Sequence, residues 1–253
     1  MIELLDRKSI LKLNKTFTSY IVDVQDAKYN PVHNPYEPGI MYFDDNDKPR
    51  YVSQEECDKW NKERLLEFNR NKDTADTDTI NNSYIDEVAF TFSEHQIDQY
   101  LNKLSTGLDY LTEQLDWKAV IFLLDYPTPW LSQENDYQPV KEALDYLRQI
   151  GVSEDFIGGF KASGQELKEV TKNLFWIIRC NASLPDCYFS GLCTDFSGFI
   201  CQYGNIHFNF YSRTDRQEII RATQDIGLKQ VEESQCLDSF TETGKIEGRR
   251  IIV

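Results

Sequence analysis

Basic residues are scarce in this sequence of 253 residues, which has 27 Lys and Arg against 42 Asp and Glu and a formal net charge of −15. A nucleic-acid-binding surface needs surplus Lys and Arg to neutralise phosphates, so the composition argues against nucleic acid as a partner. Anionic membrane surfaces are disfavoured for the same electrostatic reason. The longest strongly apolar run, Ala119–Leu124, has six residues, whereas a membrane-spanning helix needs about 20.

Cysteine is sparse as well, with only six residues in the whole sequence. That number is too small for the disulfide scaffold of a small secreted domain. The N-terminal segment has Glu3 and Asp6 and no long apolar stretch, so no secretory signal is visible there. These features lead us to expect a cytoplasmic protein with reduced thiols.

The material for a packed core is ample, since 40% of the residues are hydrophobic and 13% are aromatic. The charge is unevenly distributed: residues 74–157 have 16 acids and 4 bases, while residues 1–73 have 14 acids and 12 bases. We predict a small N-terminal α+β lobe over residues 1–73 and a main mixed α/β domain over residues 74–253. Helices interleaved with strands and hairpins indicate the α+β class, a mixed β-sheet with flanking helices. A parallel α/β core in the middle third is the alternative.

The N-terminal lobe is predicted to begin with a strand over residues 17–24. Met41–Phe43 and Arg50–Val52 flank a polar turn and predict a hairpin. Ser53 and Glu56 have the spacing of a capping box, which predicts a helix that continues through Phe68. We place a linker or long surface loop at residues 71–82.

The clearest predicted element is a helix whose apolar residues, from Ile97 to Leu115, fall within an arc of about 100°. A capping box from Ser93 to Gln96 is expected to start it. The other predicted elements are strands at 84–92, 117–124, 156–160, 174–178, 228–231 and 250–253, helices at 139–150 and 165–173, a hairpin at 198–211, and a helix capped by Thr214.

Four cysteines precede a histidine in the last third of the chain: Cys180, Cys187, Cys193, Cys201 and His207. Their spacings of seven, six and eight residues include no close Cys-x-x-Cys pair, so a zinc site is not predicted. Cysteine in strand-like runs behaves as a small hydrophobic residue. We therefore expect buried structural thiols and no metal or other cofactor.

A thiol nucleophile would need a nearby histidine to hold it as thiolate and a third group to orient that histidine. Cys193 or Cys201 could combine with His207 and Asp195 in this way. An enzyme of unfamiliar type that uses these residues is the alternative to a binding function. No catalytic residue is assigned, because nothing in the sequence brings these side chains together.

Two further motifs lack the residues that their chemistry requires. Asp44–Asp47 is similar to a calcium loop, but the Gly that such a loop needs at its sixth position is missing. A solvated hairpin turn is expected there instead. Gly158, Gly159 and Gly164 do not have the spacing of a phosphate-binding loop.

An acidic stripe is the main candidate binding surface. If the helix from Ser93 is continuous, five carboxylates fall within an arc of about 100° beside its apolar face. They are Glu94, Asp98, Asp109, Glu113 and Asp116. Such a stripe can attract a basic protein and reject acidic ones.

These observations lead us to expect a non-enzymatic intracellular protein-binding module. Its most concrete form is a bacterial immunity or antitoxin-type inhibitor that neutralises a basic toxin through the acidic surface. The expected partner is a basic protein, in that form a toxin domain, and neither nucleic acid nor a membrane.

Overall fold

A computed structural model of the chain describes residues 2–44, 46–75, 84–133, 135–180 and 184–231, and the backbone of residues 239–240 and 246–247. The fold belongs to the α+β class, as the sequence predicts. The predicted strand at 250–253 and most of the predicted linker at 71–82 lie outside the described residues.

Seven helices occur in the described residues, and none of these helices is both long and apolar enough to cross a membrane. Their bounds are α1 Arg7–Leu11, α2 Lys15–Tyr29, α3 Gln54–Asn71, α4 Ile97–Gln114, α5 Gln138–Gln149, α6 Gln165–Arg179 and α7 Arg213–Asp225.

Twelve strands accompany these helices in the described residues. Their bounds are β1 Ile2–Leu5, β2 Met41–Phe43, β3 Pro49–Tyr51, β4 Asp86–Thr91, β5 Val120–Leu124, β6 Gly159–Ala162, β7 Cys187–Gly191, β8 Phe196–Ile200, β9 Ile206–Phe210, β10 Lys229–Val231, β11 Ser239–Phe240 and β12 Ile246–Glu247.

Eight of the strands form one sheet in the order β1-β6-β5-β7-β8-β9-β4-β10. Every pairing within this sheet is antiparallel; in the centre, Ile121 of β5 lies opposite Lys161 of β6 and Ser190 of β7. The alternative of a parallel core in the middle third is therefore wrong. Antiparallel pairing suits short connections such as the β8–β9 turn, where Gly204 has a φ of 78°.

Four helices, α4 to α7, form a layer on one face of the sheet, and α1 contacts β5 and β6 separately from this layer. α6 contacts both α4 and α5, and α4 also contacts α7, so the helices follow the order α5-α6-α4-α7. Alternate strand residues point toward this helix layer because side chains alternate along a strand. Val120, Phe122 and Leu124 of β5 accordingly belong to the main hydrophobic cluster.

The helix predicted from Ile97 is confirmed as α4, and Leu104 and Leu108 on its apolar face are buried. The predicted capping box at Ser93 is wrong, because the N-cap is Gln96 and its side chain makes no capping hydrogen bond. The capping box of Ser53 and Glu56 at the start of α3 is confirmed. α7 is capped by Ser212, not by Thr214, since the Ser212 hydroxyl accepts from the Asp215 amide.

Two apolar stretches that we predicted as strands are helical. Residues 17–24 lie in α2, where Phe17, Ile21 and Gln25 are buried at a spacing of four residues. Residues 174–178 continue α6, whose buried side chains include Val170, Leu174 and Ile177. The helical period therefore extends across the run that we interpreted as a strand.

The chain divides into two compact units, one formed by residues 1–18 and 77–253 and the other by residues 19–76. The smaller unit contains the β2–β3 hairpin and α3, and the larger contains the eight-stranded sheet. The division falls within α2, so residues 1–18 belong with the sheet although they precede the smaller unit in sequence.

Strand pairing and hydrogen bonds attach residues 1–18 to the rest of the larger unit. β1 pairs with β6, and Glu3 forms an ion pair with Lys161. The Arg7 guanidinium donates to the Leu124 carbonyl at 2.9 Å. Asn14 Nδ2 donates to the carbonyls of Gly191 and Thr194, in both cases at 2.8 Å. These contacts place the start of the chain against residues that come much later in sequence.

Candidate functional site

The five carboxylates of the predicted acidic stripe do not all lie on one helix. Asp98, Asp109 and Glu113 belong to α4, whereas Glu94 precedes this helix and Asp116 follows it. Asp116 has a φ of 51°, in the left-handed region, so the helical path has ended there. The helical arc therefore applies to three of the five residues.

Three of the five carboxylates form ion pairs. Glu94 pairs with Lys103, and Asp116 pairs with Lys118. Asp109 is buried and its Oδ2 lies 2.8 Å from Lys168 Nζ of α6. The pKa of Lys168 is raised, first by its hydrogen bond to Asp109 and then by the charge of that carboxylate, with a smaller contribution from Glu113.

Asp98 and Glu113 are exposed, and neither forms an ion pair with any residue that the structure describes. They are thus the members of the stripe whose charge remains available to a partner.

The four bases of residues 74–157 are all engaged by acids of the same segment. Besides Lys103 and Lys118, Lys141 pairs with Asp136 at 3.0 Å, and Arg148 lies 3.3 Å from both Asp145 and Glu154. Exposed pairs of this kind stabilise a fold by only about 0–1 kcal/mol. Their electrostatic consequence is that no base of this segment is left to neutralise Asp98 or Glu113.

The cysteines near His207 differ in exposure. Cys187 is buried, and burial raises the pKa of its thiol, with a smaller contribution from the charge of Asp125. Cys180 is half-buried, and burial raises its pKa as well. The expectation of buried thiols is wrong for Cys193, which is exposed in the turn between β7 and β8, and Cys201 is, like Cys180, only partly buried. Among the described residues, no three His, Cys, Asp or Glu side chains group so that they could hold a metal ion.

The His207 side chain contacts Glu87 and Phe199. Its Nδ1 lies 2.6 Å from Glu87 Oε1, and its ring stacks on Phe199 with the centroids 4.3 Å apart. Asp195 instead accepts from the Thr16 hydroxyl at 2.6 Å, and its carbonyl accepts from the Tyr211 amide. Tyr211 comes four residues after His207, which is about 13 Å along a strand. The structure therefore does not assemble Asp195 and His207 into the catalytic arrangement considered above.

The β2–β3 hairpin of the smaller unit exposes one apolar face. Met41 lies opposite Tyr51, and Phe43 lies opposite Pro49. Met41, Phe43 and Tyr51, which we name the hairpin face, are 52%, 63% and 69% exposed. Tyr42, on the other face of the hairpin, is only half-buried and contacts Trp60 of α3. The sequence predicts the hairpin itself, but its alternation does not reveal which face is left uncovered.

The turn that joins the two strands is acidic and is organised by its first carboxylate. Asp44 Oδ1 accepts from the amides of Lys48 and Asn46, at 3.1 Å and 2.9 Å, and these hydrogen bonds hold the pKa of Asp44 below its usual value. Asp47 follows with a φ of 57°. The predicted hairpin turn is confirmed, and Asp45 lies outside the described residues.

The chain matches no protein-family model, no curated protein and no solved structure. The assignment of function therefore depends on the surfaces described above.

Proposed function

We propose that the chain is a non-enzymatic protein-binding module that captures a basic partner protein through the hairpin face. The observation that carries this proposal is the exposure of Met41, Phe43 and Tyr51 side by side on a two-stranded sheet. Single exposed apolar residues are ordinary, but a contiguous group rimmed by polar residues is typical of a protein interaction site. Aromatic residues and Met are also enriched in the centres of protein interfaces.

The charge around the hairpin face selects the type of partner. The sequence of the turn has three Asp, at positions 44, 45 and 47, against one Lys, at position 48, and Arg50 of β3 adds a second base near Asp44. A partner that buries its own apolar residues on the hairpin face must bring its rim close to Asp44 and Asp47. Complementary charge at an interface rim accelerates association and disfavours partners of the wrong sign. A basic rim on the partner satisfies this condition.

Asp98 and Glu113 are proposed as a second source of attraction for the same basic partner. Both are exposed and without an ion pair among the described residues, and they belong to a protein with a net charge of −15. Long-range attraction of this kind affects the association rate more than the lifetime of the complex. The concrete form that we propose is an immunity or antitoxin-type inhibitor, because the positive cleft of a cationic toxin is a surface that an acidic protein can occlude.

The test is affinity purification with the wild-type chain and with a double variant of the hairpin face, Phe43→Ser with Tyr51→Ser. We expect the wild type to retain a protein with a basic isoelectric point and the double variant to lose it. Leu66→Ser is the matched control, since Leu66 of α3 is 65% exposed but lies outside the hairpin face. Co-expression of the recovered partner with each variant then shows whether growth is restored only when the hairpin face is intact.

The contribution of Asp98 and Glu113 to the attraction of the partner is tested separately, with the double variant Asp98→Lys and Glu113→Lys. The association rate should fall and should depend less steeply on salt, because exposed charges are screened over about 10 Å at 0.1 M salt. Recovery of an acidic partner would contradict the proposal, as would equal recovery by the wild type and the hairpin variant.

A further inference from the structure

An open cleft of about 510 Å³ lies within the smaller unit. We name it the aromatic cleft, and its lining combines apolar and charged side chains. These are Tyr36, Ile40, Tyr42, Val52, Trp60, Glu63, Arg64 and Glu67. The volume is in the range of ordinary ligand sites, which have about 300–1,000 Å³.

Three aromatic rings form the centre of the aromatic cleft. Trp60 meets Tyr36 edge to face, with centroids 5.7 Å apart and planes at 75°, and it meets Tyr42 at 6.4 Å and 73°. Each aromatic ring has a negative face and a positive edge. A cation that lies over a ring face not covered by another side chain is attracted by the quadrupole of that ring.

The loop that carries Tyr36 is held to α3 by a pair of hydrogen bonds. Asn61 Oδ1 accepts from the Tyr36 amide at 2.8 Å, and Asn61 Nδ2 donates to the Tyr36 carbonyl at 3.0 Å. Because both bonds engage one side chain, the backbone at Tyr36 is fixed in position and orientation relative to Trp60. The aromatic cleft is therefore preorganised, and binding does not require the loop to be ordered first.

The charged residues of the aromatic cleft favour a positively charged ligand. Trp60, Glu63, Arg64 and Glu67 recur at the spacing of one helix face, which brings two carboxylates and one guanidinium to the same side of α3. Arg64 stacks over the Tyr36 ring, 4.5 Å from the centroid, and donates to the Asn34 carbonyl at 3.0 Å. One ring face in the cleft thus already holds a cation, while Glu63 and Glu67 are exposed.

We propose that the aromatic cleft binds a lysine or arginine side chain of a partner polypeptide. The alkyl stem of such a side chain would lie against Ile40 and the rings, and its charged end would lie near Glu63 and Glu67. The inference rests on the proposed function for its choice of a protein as the source of the cation. The preference for a cation itself comes from the rings and carboxylates of the cleft.

The test uses two small probes that differ only in the terminal ammonium group of the side chain. N-acetyl-lysine-N-methylamide has a cationic end, and N-acetyl-norleucine-N-methylamide has a similar alkyl chain without the charge. Each is titrated into the full chain labelled with ¹⁵N, and the indole N–H signals of the four tryptophans are followed. The signal of Trp60 is identified by its loss in Trp60→Phe.

We expect the lysine probe to shift the Trp60 signal and to bind about tenfold more tightly than the norleucine probe, a difference that corresponds to a cation–π and carboxylate contribution. Glu63→Gln combined with Glu67→Gln should reduce this preference to less than about threefold. Glu55→Gln removes a carboxylate from the same helix outside the cleft and should leave the preference unchanged. Circular dichroism of the variants verifies that each is folded.

Equal binding of the two probes would show an apolar pocket and overturn the inference, and so would absence of any shift at Trp60. A preference for lysine that survives the double Gln substitution would also overturn it, because the carboxylates would then have no role. The result is independent of the hairpin face, since no partner protein is present. If the probes fail while partner recovery still requires Phe43 and Tyr51, the inference falls and the proposed function stands.

Discussion

Asp109 of α4 and Lys168 of α6 form an ion pair across two adjacent helices, with 2.8 Å between Oδ2 and Nζ. The Asp109 side chain is only 10% exposed, so its carboxylate faces the neighbouring helix and not the solvent. Asp109 therefore stabilises the helix layer, whereas Asp98 on the same helix is free to interact with a partner. Two carboxylates that the sequence places in one stripe have different roles.

This difference predicts opposite effects of two conservative substitutions. Asp109→Asn should lower the melting temperature, because it leaves Lys168 without its main partner in a partly buried position. Asp98→Asn should leave the melting temperature unchanged, since the exposed carboxylate has no ion pair to lose. Differential scanning calorimetry of the two variants measures the contrast, and equal melting temperatures would contradict the structural role of Asp109.

The apolar face of α4 predicts a large loss of stability on truncation. Leu104 is fully buried in the main hydrophobic cluster, so Leu104→Ala should lower the free energy of unfolding by about 2–5 kcal/mol. Asn102→Ala, on the exposed side of the same helix, should change it by at most about 0.5 kcal/mol. Urea unfolding of both variants tests the orientation of the helix, which would be wrong if the two results were exchanged.

The cysteines should separate by reactivity in the folded protein. Iodoacetamide should modify Cys193, which is exposed, and should spare Cys187, which is buried and whose raised pKa keeps it as the thiol. Peptide mapping by mass spectrometry before and after unfolding identifies the modified positions. Cys187→Ala should cost about 1–2 kcal/mol of unfolding free energy through lost packing, and Cys193→Ala at most about 0.5 kcal/mol.

The raised pKa of Tyr146 in α5 leads us to expect a loss of stability at alkaline pH. Burial, reinforced by the charges of Glu169 and Glu166, raises the pKa of Tyr146 from its ordinary value of 10.0 to about 12. Between these two values the unfolded chain has released the proton that the folded chain retains. The free energy of unfolding therefore falls as the pH rises through this window, and the contribution is fully present below it.

Tyr146→Phe should remove this part of the pH dependence. Urea unfolding at intervals from about pH 9 to about pH 12 measures the slope. Tyr51→Phe is the control, because it removes the hydroxyl of an exposed side chain. Identical slopes for the wild type and Tyr146→Phe would exclude the buried phenol as the cause.

The elements predictable from the sequence are those with a regular apolar pattern along their length. α4 repeats buried leucines at helical spacing, from Leu101 to Leu111, and β5 is an uninterrupted apolar segment that is buried on both faces. α2 could not be predicted in the same way, because the polar Gln25 occupies a buried position that continues the face of Phe17 and Ile21. β1 has only four half-buried residues, and its partner strand is far away in sequence.

The candidate surfaces were predictable to a smaller extent, because ion pairs depend on tertiary neighbours. Helical spacing alone groups Asp109 with Asp98, whereas the partner of Asp109, Lys168, comes from another helix. The polar turn predicts the hairpin, but the exposure of Phe43 depends on what the rest of the unit covers. The spacing of Trp60, Glu63 and Glu67 on α3 was the available signal for the aromatic cleft.

β1 lies at the edge of the sheet and pairs with β6, which is far away in sequence. During synthesis on the ribosome this pairing can therefore form only after much of the chain has been made. Glu3 and Lys161 are 158 residues apart, and Asn14 and Gly191 are 177 residues apart. At about 5–20 residues per second, about 8–30 s of synthesis separate the emergence of Glu3 from that of its partner. During this interval the earliest-made segment has no native pairing available to it. The residues that are translated first therefore wait for partners that are translated much later.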